Sequence, residues 1–170
     1  MSTGPKLRFS PIAPPLHVVL VEPEIPPNTG AIARTCAATE TILHLIEPLG
    51  FRIDEQAVRR AGLDYWKHVE VVRHGSFDDF LAAHPGARLH LFTSSASRSH
   101  VQAQYRPGDA LVFGKESVGL DAALLERFRD HCVAIPTSGH VRSLNLSNAA
   151  AIVLYEALRQ LGALDKTTII

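Results

Sequence analysis

The stretch Leu16-His-Val-Val-Leu-Val21-Glu-Pro-Glu-Ile-Pro-Pro27-Asn-Thr-Gly30 decides the fold. Leu16–Val21 is a short apolar, β-branched run that reads as a buried strand. Glu22–Pro27 carries three prolines, which exclude a central strand and read as a rigid loop. Asn28 then reads as the cap of a helix running to about Thr39. The same rhythm continues along the chain. Strands are expected at Thr41–Ile46, Val69–Val72, Arg88–Phe92, Ala110–Phe113 and His131–Ile135. Helices are expected at Glu55–Ala61 after Asp54, at Ser76–Ala83, after Asp121 to about Arg129, and from a cap at Ser147 or Asn145 to about Leu161. This alternation predicts an α/β fold, a single-domain, mostly parallel sheet with helices on both faces. Ligands in such folds sit beyond the carboxyl ends of the strands, so chemistry is expected in those loops.

Around this body, residues 1–15 hold four prolines with Lys6 and Arg8 and read as a flexible or polyproline arm. The folded domain is expected over residues 16–162, with 163–170 as a tail. The 170-residue chain is 46% hydrophobic, enough to bury a core without metal or disulfide staples. Its 17 Lys+Arg balance 17 Asp+Glu, which excludes a polybasic binder that works by net charge alone. The cations are 13 Arg and 4 Lys, and Arg suits bidentate phosphate contact. Cys36 and Cys132 lie far apart with no CxxC, against a disulfide framework. No apolar run reaches the roughly 18 residues of a membrane span, and no signal-like apolar region opens the chain. A cytoplasmic protein without a membrane partner is expected.

The common ligand motifs of α/β sheets are missing. The eleven glycines contain no G-x-G, which removes the dinucleotide fingerprint. Asp109 stands where a P-loop before Gly114-Lys115 needs glycine, and Lys115 stands where a nucleophile elbow around Ser117 needs one. The nine histidines show no tight ligand spacing, so no metal site is expected.

Three loops are unusual. From Ile25 to Thr39 the only charge is Arg34, set among Gly30, Ala31, Ala33, Cys36, Ala37 and Ala38. A guanidinium there faces an anion such as an RNA phosphate, or pairs with Glu40 or Glu116. Leu111-Val-Phe-Gly-Lys-Glu-Ser-Val-Gly-Leu-Asp121 runs a strand into a turn with Gly114 and Gly119. Those glycines allow positive φ or close backbone approach to a ligand, and Glu116 either accepts from a ligand or orients Arg34. The alternative is an ordinary strand–turn–helix connection. Eleven residues, Pro136 to Leu146, then join the sixth strand to the last helix, long for an α/β connection and rich in hydroxyls and amides. They suit a polar small molecule, or form a surface loop whose Asn145 and Ser147 only cap the helix.

Together the three loops resemble the signature motifs of the SPOUT superfamily of S-adenosylmethionine-dependent RNA methyltransferases. Asn28-Thr-Gly30-Ala-Ile-Ala-Arg34 resembles its N-x-G-x-x-x-R helix start. Phe113-Gly-Lys-Glu116-Ser-Val-Gly119-Leu120 resembles its F-G-x-E-x-x-G-L turn. Ile135-Pro136 with Ser143-Leu-Asn145-Leu-Ser147 resembles its third segment. From Leu16 to Gly162 the chain is similar to the minimal TrmL/YibK-like group, whose larger relatives carry an extra RNA-binding domain that this length leaves no room for. Lys115 departs from the proline of many relatives, and the arm is additional.

The resemblance implies a deep C-terminal trefoil knot, a homodimer, and S-adenosyl-L-methionine as cofactor without a metal. It implies 2′-O-methylation of the wobble cytidine or uridine of tRNA, with leucine isoacceptors as expected substrates. Another tRNA position, rRNA, or a non-catalytic knotted RNA-binding module are the alternatives. Cofactor binding falls on Phe92, Gly114, Glu116, Gly119, Ile135 and Ser143. Catalysis falls on Arg34, with Asn145 and Tyr155 helping to orient the hydroxyl. RNA contact falls on Arg59, Arg60, Arg98 and Arg142, with Lys67, Arg73, His100, Arg106 and His140 as further candidates. The last helix supports a dimer independently. It carries one apolar face of Ala151, Leu154, Tyr155, Leu158 and Leu161, and a second of Ala149, Ile152 and Val153.

Overall fold

The computed structural model describes residues 5–52 and 66–169. Its strands are β1 (Leu7–Phe9), β2 (His17–Val21), β3 (Ile42–Ile46), β4 (Val71–His74), β5 (Leu89–Phe92), β6 (Ala110–Phe113), β7 (Cys132–Val133) and β8 (Thr167–Ile169). The helices are α1 (Pro26–Thr39), α2 (Phe77–Ala83), α3 (Ala122–Arg127) and α4 (Leu146–Gln160). Six strands form one parallel sheet in the order β4-β3-β2-β6-β5-β7. β2 lies inside it, and the strand order reverses between β2 and β6. All five residues of β2 are buried because both faces of the sheet are covered.

The pleat sends alternate residues to two cores. Val18, Leu20, Leu43, Leu45, Leu111 and Phe113 pack with Ile32, Ala33 and Cys36 of α1 and with Val153, Leu154, Ala157 and Leu158 of α4. Val19, Val21, Ile46, Leu91 and Val112 pack with Phe77 and Phe80 of α2 and Leu124 of α3. The cysteines are unpaired, and burial pushes the Cys36 thiol up to about 12. Among the described residues no helix is long and apolar enough to cross a membrane.

The structure moves several sequence-based boundaries. α1 begins at Pro26 with Ile25 as its cap residue, three residues before the expected cap Asn28. Pro26 and Pro27 fill the first two positions, where a missing N–H costs nothing and the fixed φ suits the helix. Asn28 is therefore inside the first turn, which leaves its side chain available to other loops. β4 starts at Val71 instead of Val69. β7 is only two residues long, and Ala134 meets Ser99 in an isolated bridge. The helix expected at Glu55–Ala61 lies outside the described residues. The expected flexible arm differs as well, because residues 7–9 pair antiparallel with β8 and Phe9 packs on the α1/α4 core. The prolines of the arm flank this strand and leave its ladder intact.

Two polar networks are buried beneath the sheet. His17, His44 and His74 form a hydrogen-bonded row on the α2 face. Burial, with repulsion from neighbouring imidazoles, pushes His17 down to about 4 and His44 to about 3. At the amino end of β6, Asp109 accepts from Arg88 Nε at 3.1 Å and Nη2 at 2.9 Å, from His90 Nε2 at 2.8 Å and from the Arg106 N–H at 2.9 Å. Burial alone raises a carboxyl pKa. The hydrogen bonds from His90, Arg88 and Arg106 outweigh it and hold Asp109 below the usual carboxylate range.

Removing one partner of such a buried cluster strands the others. Asp109→Ala is expected to cost about 3 kcal/mol in urea unfolding at pH 7. Because the folded-state pKa is depressed, Asp109's contribution is complete above the ordinary carboxylate range and is lost as pH falls through its lowered value. The wild-type acid transition should therefore be steeper than that of Asp109→Ala.

Candidate active site

The loops that leave β2, β5, β6 and β7 at their carboxyl ends surround a cavity of about 850 Å³. Phe92 ends β5 and Phe113 ends β6. Their rings stack at 4.8 Å with 14° between planes and form an apolar floor. Phe92, Gly114, Glu116, Gly119, Ile135 and Ser143 all line the cavity, as does Asn145. The six residues that the sequence assigned to one ligand thus come from the ends of three strands, β5, β6 and β7, into one space. The volume suits a nucleoside-sized ligand.

A chain of hydrogen bonds fixes these loops against one another. Glu116 Oε2 accepts from the Glu24 N–H at 2.8 Å. Glu116 Oε1 accepts from the Ile25 N–H at 3.1 Å and from Asn28 Nδ2 at 3.2 Å. Asn28 Oδ1 in turn accepts from Asn145 Nδ2 at 3.0 Å. Asn145 Oδ1 accepts from the Ser147 N–H, the Asn148 N–H and the Ser147 hydroxyl, which caps α4. A reverse clamp runs from the β6 turn to Glu24, whose carboxylate accepts from the Ser117 N–H at 3.0 Å and hydroxyl at 2.9 Å. Those two bonds lower the Glu24 pKa. Lys115 adds an ion pair with Glu22 at 2.5 Å, so it ties the same two loops together.

The β6 turn is closed by its glycines. Lys115 and Gly119 exchange backbone hydrogen bonds, and Gly119 has φ +75°. A Cβ on Gly114 would lie 2.1 Å from the Gly119 carbonyl carbon and 2.2 Å from the Leu120 nitrogen. Gly114 is therefore required by the chain's own backbone, folded back over it. The close approach at Gly114 is thus to the chain's own backbone, where the sequence reading had offered a ligand.

The remaining candidates are placed differently. Arg34 is exposed on α1 and Tyr155 is exposed on α4, and neither lines the cavity. Asn145 lines it, but both ends of its amide are engaged in capping and in holding Asn28, so it acts through them. Arg98 and Arg142 stand at the cavity. Arg59 and Arg60 lie outside the described residues. Arg73 is paired with Glu47. The sequence reading missed Asn28 and Glu24 as connectors. The signal was Pro26-Pro27, which fills the helix start and removes the need for an asparagine cap.

The family model for the SpoU rRNA methylases matches residues 15–155. The chain belongs to the SpoU methylase family. Its relatives in that family include the tRNA (cytidine(34)-2′-O)-methyltransferase of Escherichia coli (strain K12), 47% identical over 148 residues, covering 86% of this chain and 94% of the relative. A solved structure described as giving insights into the 2-OH methylation of C/U34 on tRNA is 50% identical, with a TM-score of 0.80, and covers 86% of this chain and 95% of that one. The SpoU methyltransferase AviRb from Streptomyces viridochromogenes, solved in complex with the cofactor AdoMet, is 28% identical with a TM-score of 0.74 and covers 86% of this chain and 58% of that one. The match thus spans nearly the whole of the first two relatives and 58% of the longer third one.

The turn geometry generates a test. Gly114→Ala must open the backbone around Gly119, and the expected cost is about 1–3 kcal/mol in urea unfolding. Val118→Ala, at an exposed position in the same turn, should change stability by less than about 0.5 kcal/mol.

Proposed function

We propose that the chain transfers the methyl group of S-adenosyl-L-methionine to the ribose 2′-hydroxyl of the wobble nucleotide, cytidine or uridine, of a tRNA, with leucine isoacceptors as the expected substrates. The observation that carries this reading is the cavity assembled by the β2, β6 and β7 loops, each bearing one motif. The near-full-length similarity to relatives named for cytidine(34) favours a tRNA target over rRNA.

The residues present fit the cofactor. Phe92, Phe113 and Ile135 offer apolar surface, the β6 turn brings backbone groups to the cavity, and the β7–α4 loop adds hydroxyls and amides. When bound, S-adenosylmethionine supplies an electrophilic methyl group on a positively charged sulfur. Charge is dispersed as the transfer proceeds, so the apolar floor helps by excluding water. The reaction asks for no metal, because the neutral thioether is already a good leaving group. Phe92, Gly114, Glu116, Gly119, Ile135 and Ser143 hold the cofactor, with Glu116 acting by fixing the loops. Asn145 positions the first turn of α1 through Asn28. Arg34 serves the reacting ribose. A guanidinium with pKa above ~12 is a poor base, so it holds the adjacent phosphate or stabilises the forming alkoxide. Arg98 and Arg142 meet RNA phosphates at the cavity, and Arg59 and Arg60 extend that contact.

The active unit is a homodimer. Ala31, Arg34 and Ala38 share the exposed side of α1, and Ile152 and Tyr155 are exposed on α4, which packs beside it. Val153, read from sequence as part of the partner-facing surface, is instead in the chain's own core with Leu154 and Leu158. A second copy on the α1/α4 face brings Arg34 and Tyr155 to a reacting ribose that its own cavity cannot reach. Family membership supports the trefoil knot. β7 lies at the sheet edge and α4 packs on α1, so residues 134–145 must return across the carboxyl ends of β5 and β6. The methyltransferase domain expected over 16–162 is extended by the β1–β8 ribbon, which joins the arm and the tail against it, and the protein works in the cytoplasm.

Purified protein with labelled cofactor and total tRNA should yield 2′-O-methylation at the wobble position. Methylation elsewhere, or none, contradicts the reading. At saturating tRNA and cofactor, Arg34→Ala should slow single-turnover methylation on the order of a hundred- to a thousandfold with cofactor affinity near wild type. Arg34→Lys should rescue poorly, because an ammonium lacks the planar fork. Ile152→Asp should shift the wild-type dimer to monomer in sedimentation at micromolar concentration.

A further inference from the structure

Away from the cavity, four imidazoles converge on the α2 face of the sheet. His17 opens β2, His44 sits in the middle of β3, His74 ends β4 and His84 follows the C-terminus of α2. Nδ1 of His17 lies 2.8 Å from Nε2 of His44, and Nδ1 of His44 lies 2.9 Å from Nε2 of His74. The rings of His17, His44 and His84 form a nearly equilateral triangle, with centroids 5.0, 4.8 and 4.9 Å apart. One nitrogen from each lies within 4.8 Å of the other two. None of the four residues lines the cavity. Phe80 packs its ring against all of them, at 5.0 to 6.4 Å.

Histidines 27 and 30 residues apart in sequence are thus stacked into one buried group. Hydrophobic packing alone does not call for it, because each imidazole brings two polar nitrogens into a region walled by Phe80. We propose that His17, His44 and His84 form a binding site for a zinc ion, with His74 holding His44 in the ligating tautomer. A proton on His44 Nδ1, donated to His74 Nε2, leaves His44 Nε2 without a proton of its own, facing His17 Nδ1 at 2.8 Å. Such an outer hydrogen bond is the usual companion of a ligating histidine. The donor set is three imidazoles without a carboxylate or thiolate, which selects zinc and its neighbours over magnesium or calcium. Zinc–nitrogen bonds of about 2.0–2.1 Å in a tetrahedron put ligand nitrogens about 3.3 Å apart. The His17–His44 pair must therefore open by roughly half an ångström as the ion replaces the shared proton, and His84 must draw in. His84 is partly exposed and supplies the entry side, and water takes the fourth position. The ion would brace β2 and β3 to the end of α2, apart from methyl transfer, so the site stands whether or not the proposed reaction does.

The test is zinc binding to the full-length chain after chelator treatment and removal of the chelator. Calorimetry with zinc chloride should give one ion per chain, and cobalt chloride should give the visible absorption of a tetrahedral site. Zinc, but not magnesium, should raise the melting temperature. His84→Ala, and His84→Gln where the alanine variant folds poorly, should abolish these signals. His74→Phe should keep one site and weaken it 10- to 100-fold. His68→Ala, at an exposed position outside the group, should leave binding unchanged. No zinc binding by the wild type, or unchanged binding by both His84 variants, overturns the proposal.

Discussion

The Glu116 carboxylate accepts three hydrogen bonds from the start of α1, two from backbone N–H groups and one from Asn28. It sits where the sheet changes direction, between the ends of β2 and β6, and beside the positive end of a helix whose cap residue, Ile25, has no side-chain acceptor. A negative charge here satisfies the connection before α1 and at the same time fixes where the β6 turn lies. Through Asn28 the restraint passes to Asn145, and through Asn145 to the first turn of α4. Three loops that leave three different strands are thereby held as one surface.

That surface needs no phosphate loop and no dinucleotide fingerprint. The glycines of the β6 turn serve the backbone's own return, Gly114 by close approach and Gly119 by positive φ. The two phenylalanines at the ends of β5 and β6 supply the floor. Polar groups on the loops are spent on one another, so the walls are set before a ligand arrives. This is the preorganisation that transfer between two bound substrates requires. Glu24–Ser117 and Glu22–Lys115 repeat the tie between the same pair of loops, so the β2–β6 connection does not rest on a single carboxylate.

Much of the fold was legible in the sequence because strands buried on both faces leave continuous apolar runs. Leu16–Val21, Thr41–Ile46 and Ala110–Phe113 were recovered within a residue of their observed bounds. The cap at Asp121 was read correctly, and Asn145 was one of the two caps read for the last helix, because capping is decided within three residues; Ser76, read as the first helical residue, is the cap of α2. Asn28 was misread for the complementary reason. Its partners Glu116 and Asn145 are 88 and 117 residues away, and local preference carries no information about them. The pairing of residues 7–9 with β8 joins opposite ends of the chain, and the histidine group joins three strands and a helix. The loops stood out by length and composition, and the resemblance of their motifs is what placed the cavity residues on them. Arg34 and Tyr155 are exposed on α1 and α4 and stand apart from the cavity.

The central claim is that Glu116 and Asn28 act as a unit that holds the ligand loops in register. A double-mutant cycle read out by S-adenosylmethionine affinity tests it most directly. Glu116→Ala and Asn28→Ala should each weaken binding by about tenfold, and the double variant should bind little worse than either, a coupling of about 1 kcal/mol or more. Effects that add within about 0.5 kcal/mol, or affinities that stay at the wild-type value, would contradict the account.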